Sequence, residues 1–159
     1  MDLGKVISIE EITNFTCGNT GNTVGKNGSQ LGMASMVGVL CGKEEYDGYE
    51  VKTEKHRFLI LISNGQSCCE SWGYFASNDD AKEFIGKILI EVTLTDKALN
   101  SKAVEESGYF EEAGGIQFVD FCFSDGSKLQ FAVYNAHNGY YGHPILVAKD
   151  EDILCSDTL

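Results

Sequence analysis

Two short stretches of the chain carry most of the side chains that could bind a small molecule. Residues 135–143 hold two histidines, two tyrosines and two asparagines, and residues 68–72 hold adjacent cysteines and the only tryptophan. Aromatic rings stack on planar ligands, while amide and imidazole groups hydrogen-bond to their edges. The pair Asn138-Gly139 is also a favoured hairpin turn, so the first stretch fits a ligand site and a strand connection equally well.

These stretches favour binding over metal or acid–base chemistry. Cys68 and Cys69 are neighbours whose side chains diverge on a strand, whereas zinc sites use separated cysteine pairs. His137 and His143 are of the type that titrates near neutral pH, but no paired carboxylate, phosphate-binding glycine loop or nucleophile motif accompanies them. We therefore expect no catalytic residue, no metal and no cofactor.

One basic cluster, Lys55-His56-Arg57, stands out in an acidic chain. It reads either as a solvated strand start or as a counter-charge for a phosphate group, which Arg57 could contact in a bidentate way. We expect the stretches 68–74 and 135–143 to lie side by side, since both follow or interrupt strands. The predicted ligand-binding residues are Arg57, Cys69, Glu70, Ser71, Trp72, Tyr74, Asn135, His137, Asn138, Tyr140, Tyr141 and His143. The competing interpretation is that these aromatic residues plug the end of a sheet.

The composition restricts the class of partner. The 159 residues carry a formal charge of −12, which repels nucleic acid and anionic lipid. The start of the chain lacks the charged and apolar regions of a secretory signal, and no apolar run is long enough to span a bilayer. We therefore expect a cytoplasmic protein with reduced cysteines and no nucleic-acid or membrane partner, in one domain over residues 1–159.

The elements that must position these residues are mostly strands. Alternating apolar residues predict strands over Val6–Ile12, Tyr46–Thr53, His56–Ser63, Ser67–Phe75, Ile88–Thr95, Ile116–Ser124, Ser127–Ala136 and Pro144–Ala148. Asn78 and two aspartates predict a short helix over Asp79–Ile85. The pattern indicates an α+β fold, a mostly antiparallel β-sheet with one short helix and a long Gly/Asn-rich loop at Asn14–Ser35.

Further expectations concern the core and the chain's irregular segments. The predicted core includes Ile60, Ile90, Val92, Phe121, Phe131 and Val133. Asp-Gly or Asn-Gly pairs at 47, 64, 125 and 138 predict turns. Residues 14–46 read as an insertion loop and hairpin, and residues 150–159 as an acidic tail that frays into solvent.

A family resemblance rests on short motifs. Leu3-Gly4-Lys5-Val6-Ile7, Ser67-Cys68-Cys69-Glu70-Ser71, Phe84-Ile85-Gly86-Lys87-Ile88 and Asn138-Gly139-Tyr140-Tyr141 resemble the pattern of a small, largely bacteriophage-encoded domain of unknown function. The similar regions are residues 3–12 and 57–147. The resemblance implies a phage or prophage origin and no established catalytic activity.

Three functions remain open from the sequence. The leading hypothesis is a non-catalytic phage-type protein that sequesters a small, polar, nucleotide-derived immune signal and so counters bacterial defence. The alternatives are an acidic inhibitor that mimics nucleic acid against a host defence protein, and a hydrolase of such signals using His137 or His143. For the first we expect a symmetric homo-oligomer, most simply a dimer, because small binding proteins gain pocket walls at subunit interfaces.

Overall fold

The structure is a computed structural model that describes residues 2–16, 45–64, 71–78, 80–107, 113–137, 142–150 and 152–159. Predictions that fall on residues 17–44, and those for Cys69, Glu70, Asn138, Tyr140 and Tyr141, lie outside the described residues, as do the side chains of Ser71 and His137.

Strands dominate the described part of the chain. They are β1 Val6–Thr16, β2 Glu45–Thr53, β3 Arg57–Ser63, β4 Ser71–Ala76, β5 Leu89–Thr95, β6 Ala113–Phe123, β7 Lys128–His137, β8 Pro144–Lys149 and β9 Asp152–Thr158. A 3-10 helix covers Ala81–Phe84 and an α-helix, α1, covers Ser101–Ser107. No helix among the described residues has the length and apolar composition that a membrane crossing requires.

The strands form two antiparallel sheets. The five-stranded sheet has the order β1-β2-β3-β8-β9, and the four-stranded sheet has the order β4-β7-β6-β5. Their apolar faces pack on each other, as the ring contacts Phe58–Phe121 and Tyr49–Phe131 show, with centroids 5.3 and 4.7 Å apart. The fold is therefore a β-sandwich whose main core lies between the sheets.

The central strand β3 shows how the sequence dictates this arrangement. All seven of its residues are buried. Phe58, Ile60 and Ile62 belong to the core between the sheets, while Leu59 and Leu61 belong to a second apolar cluster on the outer face. The expectation that a run apolar on both faces forms a central strand is confirmed.

The prediction of an α+β fold is wrong, because neither helix forms a layer. The helix expected over Asp79–Ile85 is a four-residue 3-10 turn, capped by Asp80, that buries only Phe84. The α1 helix has no buried residue. A helix must bury an apolar stripe to build a layer, and here the two sheets bury each other instead.

Three strand predictions also need correction. Asn14, Phe15 and Thr16 belong to β1 rather than to the Gly/Asn-rich loop, and the acidic tail contains β9, paired with β8. Gly48 lies inside β2 and not in a turn; a Cβ there would collide with the carbonyl oxygen of Ile60 on the paired strand. This close approach explains why glycine occupies a strand interior.

The predicted core is confirmed for its residues in β3, β6 and β7, and only partly for its residues in β5. Ile60, Phe121, Phe131 and Val133 are fully buried, whereas the side chains of Ile90 and Val92 are partly exposed. The register of β5 against β6 shifts between Leu89 and Glu91, and Leu89 becomes the fully buried residue. Such an irregularity changes which residues face the core, so strict alternation could not place this strand.

Candidate functional site

A cleft with a volume of about 630 Å³ opens where the edge strands β1 and β4 of the two sheets face each other. We call it the β1–β4 cleft. The 3-10 helix contributes to its wall, because Asp80 accepts a hydrogen bond from the backbone nitrogen of Lys82 and holds that turn in place. Side chains that line the cleft and could contact a ligand are Glu10, Glu11, Tyr49, Tyr74, Asp80 and Lys82.

Two tyrosines form an aromatic corner in this cleft. The rings of Tyr49 and Tyr74 meet edge to face, with centroids 5.3 Å apart and planes 87° apart. Tyr49 pairs directly with Glu11 across β2 and β1, and the Tyr74 hydroxyl donates a 2.6 Å hydrogen bond to the Glu11 carboxylate. This bond joins the edges of the two sheets. Within the described part of the chain, the Tyr49 hydroxyl makes no hydrogen bond, so its donor is left for a ligand or water.

Both phenols keep their protons more firmly than ordinary tyrosines. Burial raises the pKa of Tyr49 well above its usual value, and the charge of Glu11 raises it further. For Tyr74, burial raises the pKa first, followed by the hydrogen bond to Glu11 and the nearby charges of Glu11 and Asp47. At neutral pH the corner therefore offers neutral rings and protonated hydroxyls, beside carboxylates.

The raised tyrosine pKa values predict a specific alkaline behaviour. Unfolded tyrosines ionise near pH 10, whereas folded Tyr49 and Tyr74 ionise at higher pH. The unfolded state therefore loses protons first, and the free energy of unfolding should fall as the pH rises above about 10. Ultraviolet titration of tyrosinate should show late-titrating tyrosines, one fewer in Tyr74→Phe. If Tyr74→Phe instead loses a tyrosine that titrates near pH 10, the environment described for Tyr74 is contradicted.

The sequence-predicted residues gather in part at a neighbouring position between the sheets. Trp72 pairs with Asn135 across β4 and β7, so the described portions of the two sequence stretches do lie side by side. The Trp72 ring stacks on His143 with centroids 5.4 Å apart, and His143 Nδ1 lies 2.5 Å from the Ser63 carbonyl oxygen. A carbonyl can only accept, so Nδ1 carries the proton.

These contacts give Trp72, Asn135 and His143 a structural role. Asn135 is fully buried and donates to the main-chain oxygen of Leu159, and His143 is 2% exposed. Of the described candidates, only Tyr74 lines the β1–β4 cleft. It stands two residues from Trp72 on the same face of β4, because side chains alternate along a strand.

Arg57 is neither solvent-exposed nor available to a ligand, although the sequence suggested one or the other. Its side chain is buried on the outer part of the five-stranded sheet, where Nε and Nη2 bind the Glu50 carboxylate at 2.6 and 2.5 Å. The third nitrogen, Nη1, is buried as well, so a phosphate could not reach the guanidinium without displacing its surroundings. Arg57 also lies at the opposite end of β3 from Ser63, about 20 Å away along a strand of seven residues. The expected phosphate contact does not fit this geometry.

Sequence reasoning missed Tyr49 and Glu11. Both lie in predicted strands, Glu11 in Val6–Ile12 and Tyr49 in Tyr46–Thr53, and neither belongs to an unusual cluster of residue types. Glu11 and Tyr74 are 63 positions apart, and no local pattern signals that their strands meet edge to edge. Among the described residues, no group of His, Cys, Asp and Glu side chains is arranged to hold a metal ion.

Comparison with known proteins identifies a family but no individual relative. Neither the curated proteins nor the solved structures contain a match to the chain. A family model described as a domain of unknown function, DUF7448, matches residues 3–147, which is most of the chain and includes every described residue of the β1–β4 cleft. The chain therefore belongs to the DUF7448 family.

Proposed function

We propose that this protein captures a small molecule in the β1–β4 cleft and holds it without chemical conversion. The observation that carries the proposal is the aromatic corner of Tyr49 and Tyr74 in an open cleft of about 630 Å³, with the Tyr49 hydroxyl unused by the described residues. Ligand sites are typically clefts of roughly this size, with aromatic walls and a few polar groups that fix orientation.

The two tyrosines suit binding better than proton transfer. A general acid or base works best with a pKa near the operating pH, and the pKa of each of these hydroxyls is raised away from neutrality. The Tyr74 hydroxyl is also engaged with Glu11. Both features support sequestration over a hydrolase that would use these two tyrosines as its acid or base.

The biological setting in this proposal is phage infection. The resemblance of the motifs at residues 3–7, 67–71, 84–88 and 138–141 to phage-encoded domains supports it. In that setting the protein acts in the cytoplasm of the infected bacterium, as a homo-oligomer, and withdraws a host immune signal. A nucleoside-like signal could stack on the rings of Tyr49 and Tyr74. A phosphate group on that signal would not be neutralised by Arg57, because Arg57 is paired with Glu50.

The proposal is tested by the molecules that the purified protein releases on heating. Wild-type protein from bacterial cells should release a compound that mass spectrometry detects in near-stoichiometric amount. The Tyr49→Ala variant should release much less, since stacking on an aromatic ring contributes about 1–3 kcal/mol, or tenfold to a hundredfold in affinity. The Ile85→Ala variant, at an exposed position outside the cleft lining, is the matched control and should release as much as wild type.

The result also separates the alternatives. A hydrolase would release the cleaved product rather than an intact signal. If neither wild type nor control releases a compound, the capture proposal is contradicted and the acidic protein–protein inhibitor becomes the better hypothesis. A thermal melt of each variant identifies any loss that comes from unfolding.

A further inference from the structure

The charged residues that line the described part of the β1–β4 cleft are mostly acidic. Among its described lining residues, the carboxylates of Glu10, Glu11 and Asp80 face a single cation, Lys82. A fourth carboxylate, Asp47, lies near enough for its charge to raise the pKa of Tyr74. The whole chain, these residues included, carries a formal charge of −12, so the field at the cleft attracts cations and repels anions.

The carboxylate best placed to meet a ligand is Glu11. One of its oxygens accepts the hydrogen bond from Tyr74, and no hydrogen bond or ion pair to its other oxygen is found within the described part of the chain. Glu11 also pairs directly with Tyr49, so the carboxylate lies beside both rings of the aromatic corner. A carboxylate beside aromatic rings is a recognised way to bind an organic cation, because ring faces and carboxylate are all negative.

Lys82 does not cancel this preference. It is exposed, and no ion pair holds its ammonium group near Glu10 or Glu11 in the described structure. Arg57 and Lys52, which would otherwise balance the acids of this sheet, are committed to Glu50. An anionic ligand would therefore enter the cleft against three carboxylates, with the exposed Lys82 as the one cation among the described lining residues.

We propose that the ligand of the β1–β4 cleft carries a cationic nitrogen on a planar or apolar body, with the nitrogen at Glu11 and the body against Tyr49 and Tyr74. This inference rests on the proposed function and specifies the ligand class of the same site. It assigns a charge opposite to that of a phosphate-bearing molecule.

The test is calorimetric titration with three indoles of nearly equal size and different charge. Tryptamine is cationic, tryptophol is neutral and indole-3-acetate is anionic. Tryptamine should bind at least about tenfold more tightly than tryptophol, since only its ammonium group adds a charge–charge attraction to the Glu11 carboxylate. Indole-3-acetate should bind more weakly still, and added salt should weaken tryptamine most.

A pair of variants locates the effect. Glu11→Gln keeps an oxygen acceptor for Tyr74 but removes the charge, so it should weaken tryptamine about tenfold and tryptophol much less. Glu91→Gln makes the same change in net charge on β5, outside the cleft lining, and should leave both affinities unchanged.

Two results would overturn the inference. One is binding of tryptophol or indole-3-acetate as tight as that of tryptamine, and the other is no binding of any of the three. Neither result alone removes the proposed function, which is tested separately by the compound that heating releases. A released compound that lacks a cationic nitrogen would support capture and contradict the charge assignment.

Discussion

Replacing Phe131 by alanine should lower the free energy of unfolding by about 3–5 kcal/mol, the usual cost of removing a buried phenylalanine. Phe131 is fully buried in β7, and its ring contacts Phe121 in the same sheet and Tyr49 in the other, with centroids 5.2 and 4.7 Å apart. The truncation opens a cavity between the sheets, which the stiff strands around it can close only in part.

Urea denaturation followed by tryptophan fluorescence measures this loss. The control is Ile85→Ala at a position 41% exposed, which should change the free energy of unfolding by less than about 0.5 kcal/mol. A loss below about 1 kcal/mol for Phe131→Ala would show that the two sheets do not pack on this ring as described.

The second large effect is expected at the buried Arg57–Glu50 pair. Arg57→Met should cost about 3–5 kcal/mol, because it leaves the Glu50 carboxylate buried without its main partner. Both side chains are 7% exposed, and the remaining contact of Glu50, to Lys52, is longer at 3.4 Å. The double variant with Glu50→Met and Arg57→Met should be more stable than Arg57→Met, since it buries two apolar groups and no unpaired charge.

The same denaturation experiment tests the single and the double variant. Lys102→Met provides the control, because its pair with Glu106 has exposed fractions of 81% and 65% and should contribute less than about 1 kcal/mol. If Arg57→Met costs no more than Lys102→Met, the guanidinium is solvated. The phosphate role that the sequence predicted for Arg57 would then be open again.

Local patterns were enough to predict most of the strands. The apolar run in β3 indicated a central position, and Val119, Phe121, Leu129 and Phe131 alternate on either side of Asp125-Gly126, so the hairpin of β6 and β7 could be read directly. Hairpin partners are close in sequence, and their register follows from the turn. In β9, Ile153 and Cys155 are partly buried, whereas Asp152, Leu154 and Ser156 are exposed. The acidic run Asp150-Glu151-Asp152 and the adjacent apolar residues concealed this alternation in the sequence.

The candidate site could be predicted only in part, because it depends on contacts between distant strands. Tyr74 was found because it belongs to an unusual aromatic stretch, but its partners Glu11 and Tyr49 come from the other sheet. Arg57 looked exposed because it belongs to a basic cluster. Strand alternation instead points its side chain to the same face as Glu50, seven positions earlier in the paired strand, which sequence spacing alone does not reveal.

The most direct test of ligand capture in the β1–β4 cleft is an NMR spectrum of the tyrosine rings before and after the heat-released compound is added back. We expect the resonances of Tyr49 and Tyr74 to shift in a saturable way. The resonances of Tyr46, which is buried in the cluster on the outer face of the five-stranded sheet, should stay unchanged. Unchanged Tyr49 and Tyr74 resonances at saturating compound would contradict capture at this cleft.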